Sequence, residues 1–363
     1  VRIALDAMGG DFLAVPNLQG AYRAIKRSEQ EGLGLQVFLV APHKELMSVL
    51  PEAAVDPRVR PENRIDLKTF DRFISEQKLV PVDCTQVVGM DESPSVAMRS
   101  KKDSSMAVAY RMVKEGKADA TVSAGNSGAM MALGIGILGR MNEIKRPAIL
   151  IQCPTLEGSC CILDAGANVD CTSDHLVQFG QMGHIYAQVV LGRTHPRVGL
   201  MNIGEEEGKG NDLVRASYPL LKEALGSDFI GSIEGRDIFK GKVDVVVCDG
   251  FVGNVILKTA EGVAQIVKEI LKREFQKSLQ WTAGAWLSQG AFQGLKSKMD
   301  YREYGAAPLV GLNGLALVAH GSSDGKAIMN SILGAARSVE QNLMPRLLQA
   351  FGDSNERKSD VVL

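Results

Sequence analysis

Apolar residues fill eight short runs of the chain almost without interruption, at 2–6, 36–40, 120–122, 148–151, 161–164, 198–203, 243–248 and 315–318. A half-exposed strand shows a polar residue at every second position. Unbroken runs belong to strands buried on both faces, as in parallel or mixed sheets covered by helices. The segments 15–28, 104–117, 127–139, 173–190, 211–225 and 252–275 carry apolar residues three or four apart, the period of a helix with one buried face. Together these patterns predict an α/β protein, with a three-layer α/β/α body over 1–351 built on a mainly parallel or mixed sheet.

Five of the runs end in polar, glycine-bearing tails. They hold Asp6, Gly9, Gly10 and Asp11; Ser123, Gly125, Asn126, Ser127 and Gly128; Asp164 and Asn168; Asn202 and Glu206; and Asp249 and Asn254. Open α/β sheets bind ligands at the carboxyl ends of their strands, so five such tails point to one cleft. The tail at 123–128 runs into helix-forming residues. Small residues there let backbone N–H groups approach a ligand, and the positive end of the helix favours an anion. The same residues also suit an ordinary strand-to-helix turn capped by Asn126 or Ser127.

Composition narrows the field. Hydrophobic residues make up 45% and charged residues 23% of 363, ordinary globular usage, and a net charge of -1 argues against a protein that coats nucleic acid. The six cysteines form no CxxC pair and read as free thiols, and Cys160 and Cys161 point to opposite faces of one strand, so no metal is expected. No charged segment precedes an apolar signal core, which gives the expectation of a cytoplasmic protein.

Two motifs mislead. Gly134, Gly136 and Gly139 match a dinucleotide fingerprint but fall deep in the helix that begins near Ser127, where close packing explains them. The glycines of 204–210 lack the spacing and the hydroxyl residue of a phosphate-binding P-loop. Residues 252–300 read as a protruding helical hairpin bearing Trp281, Trp286, Leu287 and Phe292. Lys277, Lys296 and Lys298 are the only charges over 275–299. Tryptophan beside lysine suits contact with an anionic membrane surface, and equally a dimer core. The tail 352–363 reads as flexible.

Taken in order, the tails at 6–11, 122–128, 163–168, 202–206 and 247–254, with Arg146, Gln178, Lys209, Lys258 and His320, resemble the PlsX-type phosphate acyltransferases over about 1–335. Ala14 stands where that family usually has proline, Ser127 where it has threonine, and Met201 where it has leucine. The resemblance implies transfer of a fatty acyl group from acyl carrier protein to inorganic phosphate. It also implies a homodimer with an isopropylmalate dehydrogenase-like fold. Peripheral attachment to the inner face of the membrane follows, with acyl phosphate passed to a membrane glycerol-3-phosphate acyltransferase.

That chemistry needs no enzyme nucleophile and no cofactor. It needs a clamp for phosphate, donors for the developing oxyanion and a route for the thiol, whose ordinary pKa near 8.5 makes it a tolerable leaving group. Asn126, Lys209, Asn254 and His320 are the catalytic candidates. Asp6, Gly9, Gly10, Asp11, Ser123, Gly125, Ser127, Gly128, Asp164, Asn168, Glu206, Asp249 and Lys258 are the binding candidates. His320 also fits a helix cap near Ser322. A metal- and NAD-dependent hydroxy-acid dehydrogenase on a related fold is the competing enzyme reading, and a lipid- or carrier-binding scaffold the non-enzyme one.

Overall fold

A computed structural model describes residues 1–57, 59–292, 294 and 305–351. The first half runs β1 (Arg2–Asp6), α1 (Ala14–Glu31), β2 (Gln36–Val40), α2 (His43–Val55), α3 (Leu67–Ser75), β3 (Leu79–Val82), α4 (Pro94–Ser100), α5 (Ser105–Lys114), β4 (Ala120–Ser123) and α6 (Ser127–Ile137). It continues with β5 (Ala148–Ile149), β6 (Ile151–Thr155), β7 (Gly158–Leu163), α7 (Ser173–Val189), β8 (Val198–Met201), α8 (Asp212–Leu225), β9 (Phe229–Ile233) and β10 (Val245–Val247). After these come α9 (Gly250–Phe275), α10 (Leu279–Leu287), β11 (Ala307–Val310), β12 (Leu315–Val318), α11 (Gly325–Glu340) and α12 (Leu343–Phe351).

The strands divide between two sheets. One has the order β3-β2-β1-β4-β12-β11-β5 and the other β6-β7-β10-β8-β9. All neighbours are parallel except at β11 and at the β6–β7 hairpin. Each sheet is covered on both faces, which is why its strands read as unbroken apolar runs. In the first sheet Ile3, Leu5, Val37 and Leu39 pack under α1 and α11, while Ala4 and Val40 face α5. In the second, Leu163, Val245 and Val247 lie against α7, and Ile162 and Val246 against the start of α9. One apolar cluster contains residues of both sheets.

The glycines at 134 and 136 serve close packing. A Cβ at Gly134 would meet Leu312 at 2.7 Å and one at Gly136 would meet Met98 at 2.6 Å, so the β11–β12 turn and α4 approach α6 through them. Helix α9 is different in kind. Of its 26 residues only Gly250 and Gly253 are buried, and at 1.5 Å per residue it extends roughly 39 Å. At its end Phe275 meets Phe292, which follows α10, edge to face with ring centres 5.1 Å apart. Trp281, Trp286 and Leu287 are half or more exposed on α10. Lys296, Lys298 and the 352–363 tail lie outside the described residues.

Candidate functional site

Leu5 of β1 sits level with Val122 of β4, so the tails that leave these two strands meet. The Ser123 hydroxyl donates to Asp6 Oδ2 at 2.7 Å and accepts the Gly125 N–H at 2.9 Å. Met8 N–H adds a bond to Asp6 Oδ1 at 3.3 Å. Burial pushes the Asp6 carboxyl above its ordinary range, against the pull of the Ser123 hydroxyl and these backbone donors. Gly9 is required here, because a Cβ would lie 2.8 Å from Asp6 Oδ2, Ser123 Oγ and Gly125 N alike.

The turn between β1 and α1 is tied by Asn17, which sequence reasoning missed. Its buried amide donates to the carbonyls of Ala7, Gly9 and Leu13 at 3.1, 2.9 and 2.8 Å. The signal that could have found it is an asparagine on the buried face of the helix expected at 15–28. Asp11 N–H donates to Gly321 O at 2.9 Å, which brings in the tail of β12. His320, exposed on that tail, turns Nδ1 to the Ser322 N–H at 3.1 Å and to its hydroxyl at 2.7 Å.

Asn126 caps α6. Its Oδ1 accepts Ala129 N–H at 2.9 Å, and its amide donates to Met90 O and Glu92 O at 2.7 and 3.1 Å. The amide is therefore engaged with the 90–92 segment that walls the turn. The Ser127 and Gly128 N–H groups open the helix, ahead of its first intrahelical acceptor, and point along its positive end. Helix cap and anion-receptive turn are thus one piece of backbone.

A second group forms at the carboxyl ends of β7, β10 and β8. Asp164 is buried and accepts from Ile149, Ala167 and Asn168 N–H at 3.0, 3.1 and 2.6 Å and from the Asn168 amide at 2.9 Å. Burial raises this carboxyl too, opposed by the same donors. Its partners order the 164–168 turn and leave little of it for a ligand. Gly250 N–H binds Asn168 O at 2.7 Å, and Asp249 caps α9 through Val252 N–H at 2.9 Å. Asn254 is exposed beside Gly166, and its amide has no hydrogen bond among the described residues.

The lysines stand at the rim. Lys209 pairs with Glu206 at 2.6 Å and Lys258 with Glu261 at 2.9 Å, both lysines and Glu206 being exposed and Glu261 half-buried. The Lys209 ammonium holds the Glu206 carboxyl below its ordinary range. Asn202 fixes their loop by donating to Lys209 O at 3.1 Å and to Ser232 Oγ at 3.0 Å.

The two groups are joined through Ile149. Its N–H binds Asp164, and it ends β5, which runs in the same direction as β4 in the first sheet. Three strand spacings separate β4 from β5, roughly 14 Å along the sheet. The structure thus sets Asp6, Gly9, Asp11, Ser123, Gly125, Asn126, Ser127, Gly128 and His320 on one side. Asp164, Asn168, Asp249 and Asn254 stand on the other. Among the described residues no group of three His, Cys, Asp or Glu side chains is arranged to hold a metal ion, and no helix is long and apolar enough to cross a membrane.

Against known proteins, residues 1–346 match the family described as "Fatty acid synthesis protein". A phosphate acyltransferase of Heliobacterium modesticaldum is 46% identical over 344 residues, covering 95% of this chain and 96% of its own. One from Syntrophotalea carbinolica is 44% identical over 363 residues, covering 100% and 97%. The fold is similar to a Streptococcus pyogenes phosphotransacetylase, TM-score 0.56 at 15% identity, covering 94% of each chain. It is also similar to a Klebsiella pneumoniae 4-hydroxythreonine-4-phosphate dehydrogenase, TM-score 0.51 at 11% identity, covering 93% and 96%.

Proposed function

The chain belongs to the phosphate acyltransferase family, and from that premise we propose that it moves a fatty acyl group from an acyl carrier protein thioester to inorganic phosphate, making acyl phosphate for phospholipid synthesis. The observation that carries this reading is the glycine-built turn at 123–128, its shape fixed by Ser123 and Asp6, with the Ser127 and Gly128 N–H groups at the start of α6 making no hydrogen bond among the described residues.

Phosphate sits on that turn, where the Ser127 and Gly128 N–H groups bind its oxygens. Lys209 swings from Glu206 to offset the charge, a compact ammonium suited to phosphate. One phosphate oxygen attacks the thioester carbon. The carbonyl oxygen gains negative charge and is met by a backbone N–H of the same turn, because the Asn126 amide is engaged and Asn254 stands with the second group, roughly 14 Å along the sheet. Collapse of the tetrahedral intermediate expels the carrier's thiolate. Holding phosphate and thioester together supplies up to about 7–11 kcal/mol of the barrier. Asp6 and Asp164 shape the turns rather than touch phosphate, since two bare carboxylates beside an anion would repel it.

The protein acts as a homodimer on the inner face of the membrane, with the α9–α10 segment as its contact, and hands acyl phosphate to a membrane glycerol-3-phosphate acyltransferase. The test of the reaction is direct. Acyl carrier protein thioester is mixed with enzyme and phosphate, and released thiol and acyl phosphate are measured together. Thiol release that does not depend on phosphate overturns the reading, and nicotinamide reduction by a hydroxy acid supports the dehydrogenase instead.

A further inference from the structure

Two features of the first sheet have no part in the chemistry above. The first is a cavity of about 160 Å³ between α2 and α3. Leu18, Leu46, Leu50 and Phe70 wall it, all 8% exposed or less, and Leu39 and Pro81 floor it next to the carboxyl ends of β2 and β3. Its polar groups, His43 and Asp71, are exposed at the rim beside Met47. An aliphatic cavity of about 150 Å³ stays dry and accepts an apolar guest the size of benzene.

The second feature is the pair Phe12 and Leu13, 50% and 51% exposed. Leu13 has φ 51° and ψ −133°, a conformation that glycine takes freely and a branched side chain does not. Asn17 holds it there through the Leu13 carbonyl. Conformations of this kind persist where surroundings over-determine them, and they gather at ligand sites. The pair directly follows Asp11, which is fastened to Gly321 just after β12.

The two features share one edge. Asp6 is level with Val40, so α1 and α2 both begin at the carboxyl edge of the sheet, on the face that Leu39 shares with Leu18. Phe12 and Leu13 stand where α1 begins, and His43 at the cavity rim is where α2 begins. We propose that the hydrocarbon chain of the acyl group leaves the strand-end cleft across Phe12 and Leu13 and places its tail in the cavity under α2 and α3. A saturated chain has no hydrogen-bonding group, and the walls offer it none. This rests on the acyltransferase reading and gives it a chain-length ruler.

The test compares hexanoyl, dodecanoyl and hexadecanoyl carrier-protein thioesters on the full chain. Leu50→Phe fills the cavity, and Ile74→Phe, at the half-buried rim, serves if the first variant does not fold. Either lowers kcat/KM for the hexadecanoyl relative to the hexanoyl thioester by about tenfold or more. Leu13→Gly raises KM for the long chains more than for the short. Dodecanoate, titrated calorimetrically, binds the parent chain and not Leu50→Phe. An unchanged chain-length ratio in a folded variant overturns the proposal, and dodecanoate binding that is lost while the ratio holds overturns it too, by making the cavity a site for a separate fatty acid. If the parent turns over no thioester of any length, the acyltransferase reading fails, and the dodecanoate titration decides the cavity alone.

Discussion

Ser123 gives its hydroxyl proton to the buried carboxylate of Asp6 at 2.7 Å while taking the N–H of Gly125 at 2.9 Å. One oxygen therefore couples the end of β1 to the turn after β4. Ser123→Ala leaves a buried carboxylate short of a donor and Gly125 short of an acceptor. The expected cost is about 1–3 kcal/mol of stability, read by urea unfolding, together with a raised KM for phosphate. Ser123→Thr keeps the hydroxyl and restores most of both. A phosphate KM that does not move in Ser123→Ala would separate the turn from phosphate binding.

Asp6 carries a pH signature whose sign follows from its burial. Its folded pKa is raised above the ordinary 3.8, so the folded state holds its proton more tightly than the unfolded state does. Its contribution to stability is full below the unfolded pKa and is lost as pH rises through the raised folded value. Asn cannot titrate. Relative to Asp6→Asn, the parent chain therefore gains stability as pH falls from neutral into the acid range, and thermal midpoints of the two proteins recorded across that range converge or cross in the parent's favour. Parallel midpoints would show that Asp6 titrates alike folded and unfolded.

What the sequence made legible was what depends on periodicity and on glycine. The helix expected at 127–139 runs over Ser127–Ile137 and that at 211–225 over Asp212–Leu225, because both have caps and an apolar face. The five strand-end tails were visible as glycines beside carboxylates and amides. Other features were not visible. Strand β3 is only four residues and includes Pro81, and β9 begins straight after a turn, so neither gives a run long enough to stand out. The division into two sheets depends on which strands pair, which no local pattern encodes. Asn126 and Asn254 looked equivalent as donors, and only the carbonyls of Met90 and Glu92, thirty-odd residues upstream, distinguish them.

Gly253 tests how tightly α9 must approach the second half of the site. A Cβ there would overlap the carbonyl oxygen of Asp164 and come within 3.2 Å of Ala165 Cα. Both obstacles are backbone and have no rotamer to change. Gly253→Ala pushes the helix from the 164–168 turn and costs about 1–3 kcal/mol or more, where a helical glycine changed to alanine in open space would gain stability. The thermal midpoint falls and turnover falls with it. Gly262→Ala, on the same helix with nothing within 4 Å of its Cβ, is the control and keeps or raises the midpoint.

Lys209 and Lys258 make rim ion pairs of similar geometry, so stability does not tell them apart. Solvent screens pairs this exposed, so alanine at either position should leave the urea midpoint nearly in place. Function separates them. Lys209 is on the loop that Asn202 anchors at the end of β8, whereas Lys258 lies two turns into α9. Lys209→Ala should raise the phosphate KM about tenfold, with Lys258→Ala affecting it less. Equal effects would assign both lysines to the clamp, and no effect of Lys209→Ala would remove it.

The α9–α10 segment is tested by its exposed end. Trp286 is 67% and Leu287 77% exposed, and covering side chains of this size is worth about 1.5–3 kcal/mol each. If both insert into a membrane, the part of each that is exposed would contribute about 2–4 kcal/mol together, tens-fold or more in partition. In that case Lys268 and Lys272 on α9 would add attraction to anionic lipid, and Arg273 and Lys277, paired with Glu269 and Glu274, would add less. Changing Trp286→Ser and Leu287→Gln together should abolish cosedimentation with vesicles containing phosphatidylglycerol while leaving the mass in solution unchanged. If mass falls instead and vesicle binding persists, these side chains are covered by a second copy of the chain and not by lipid.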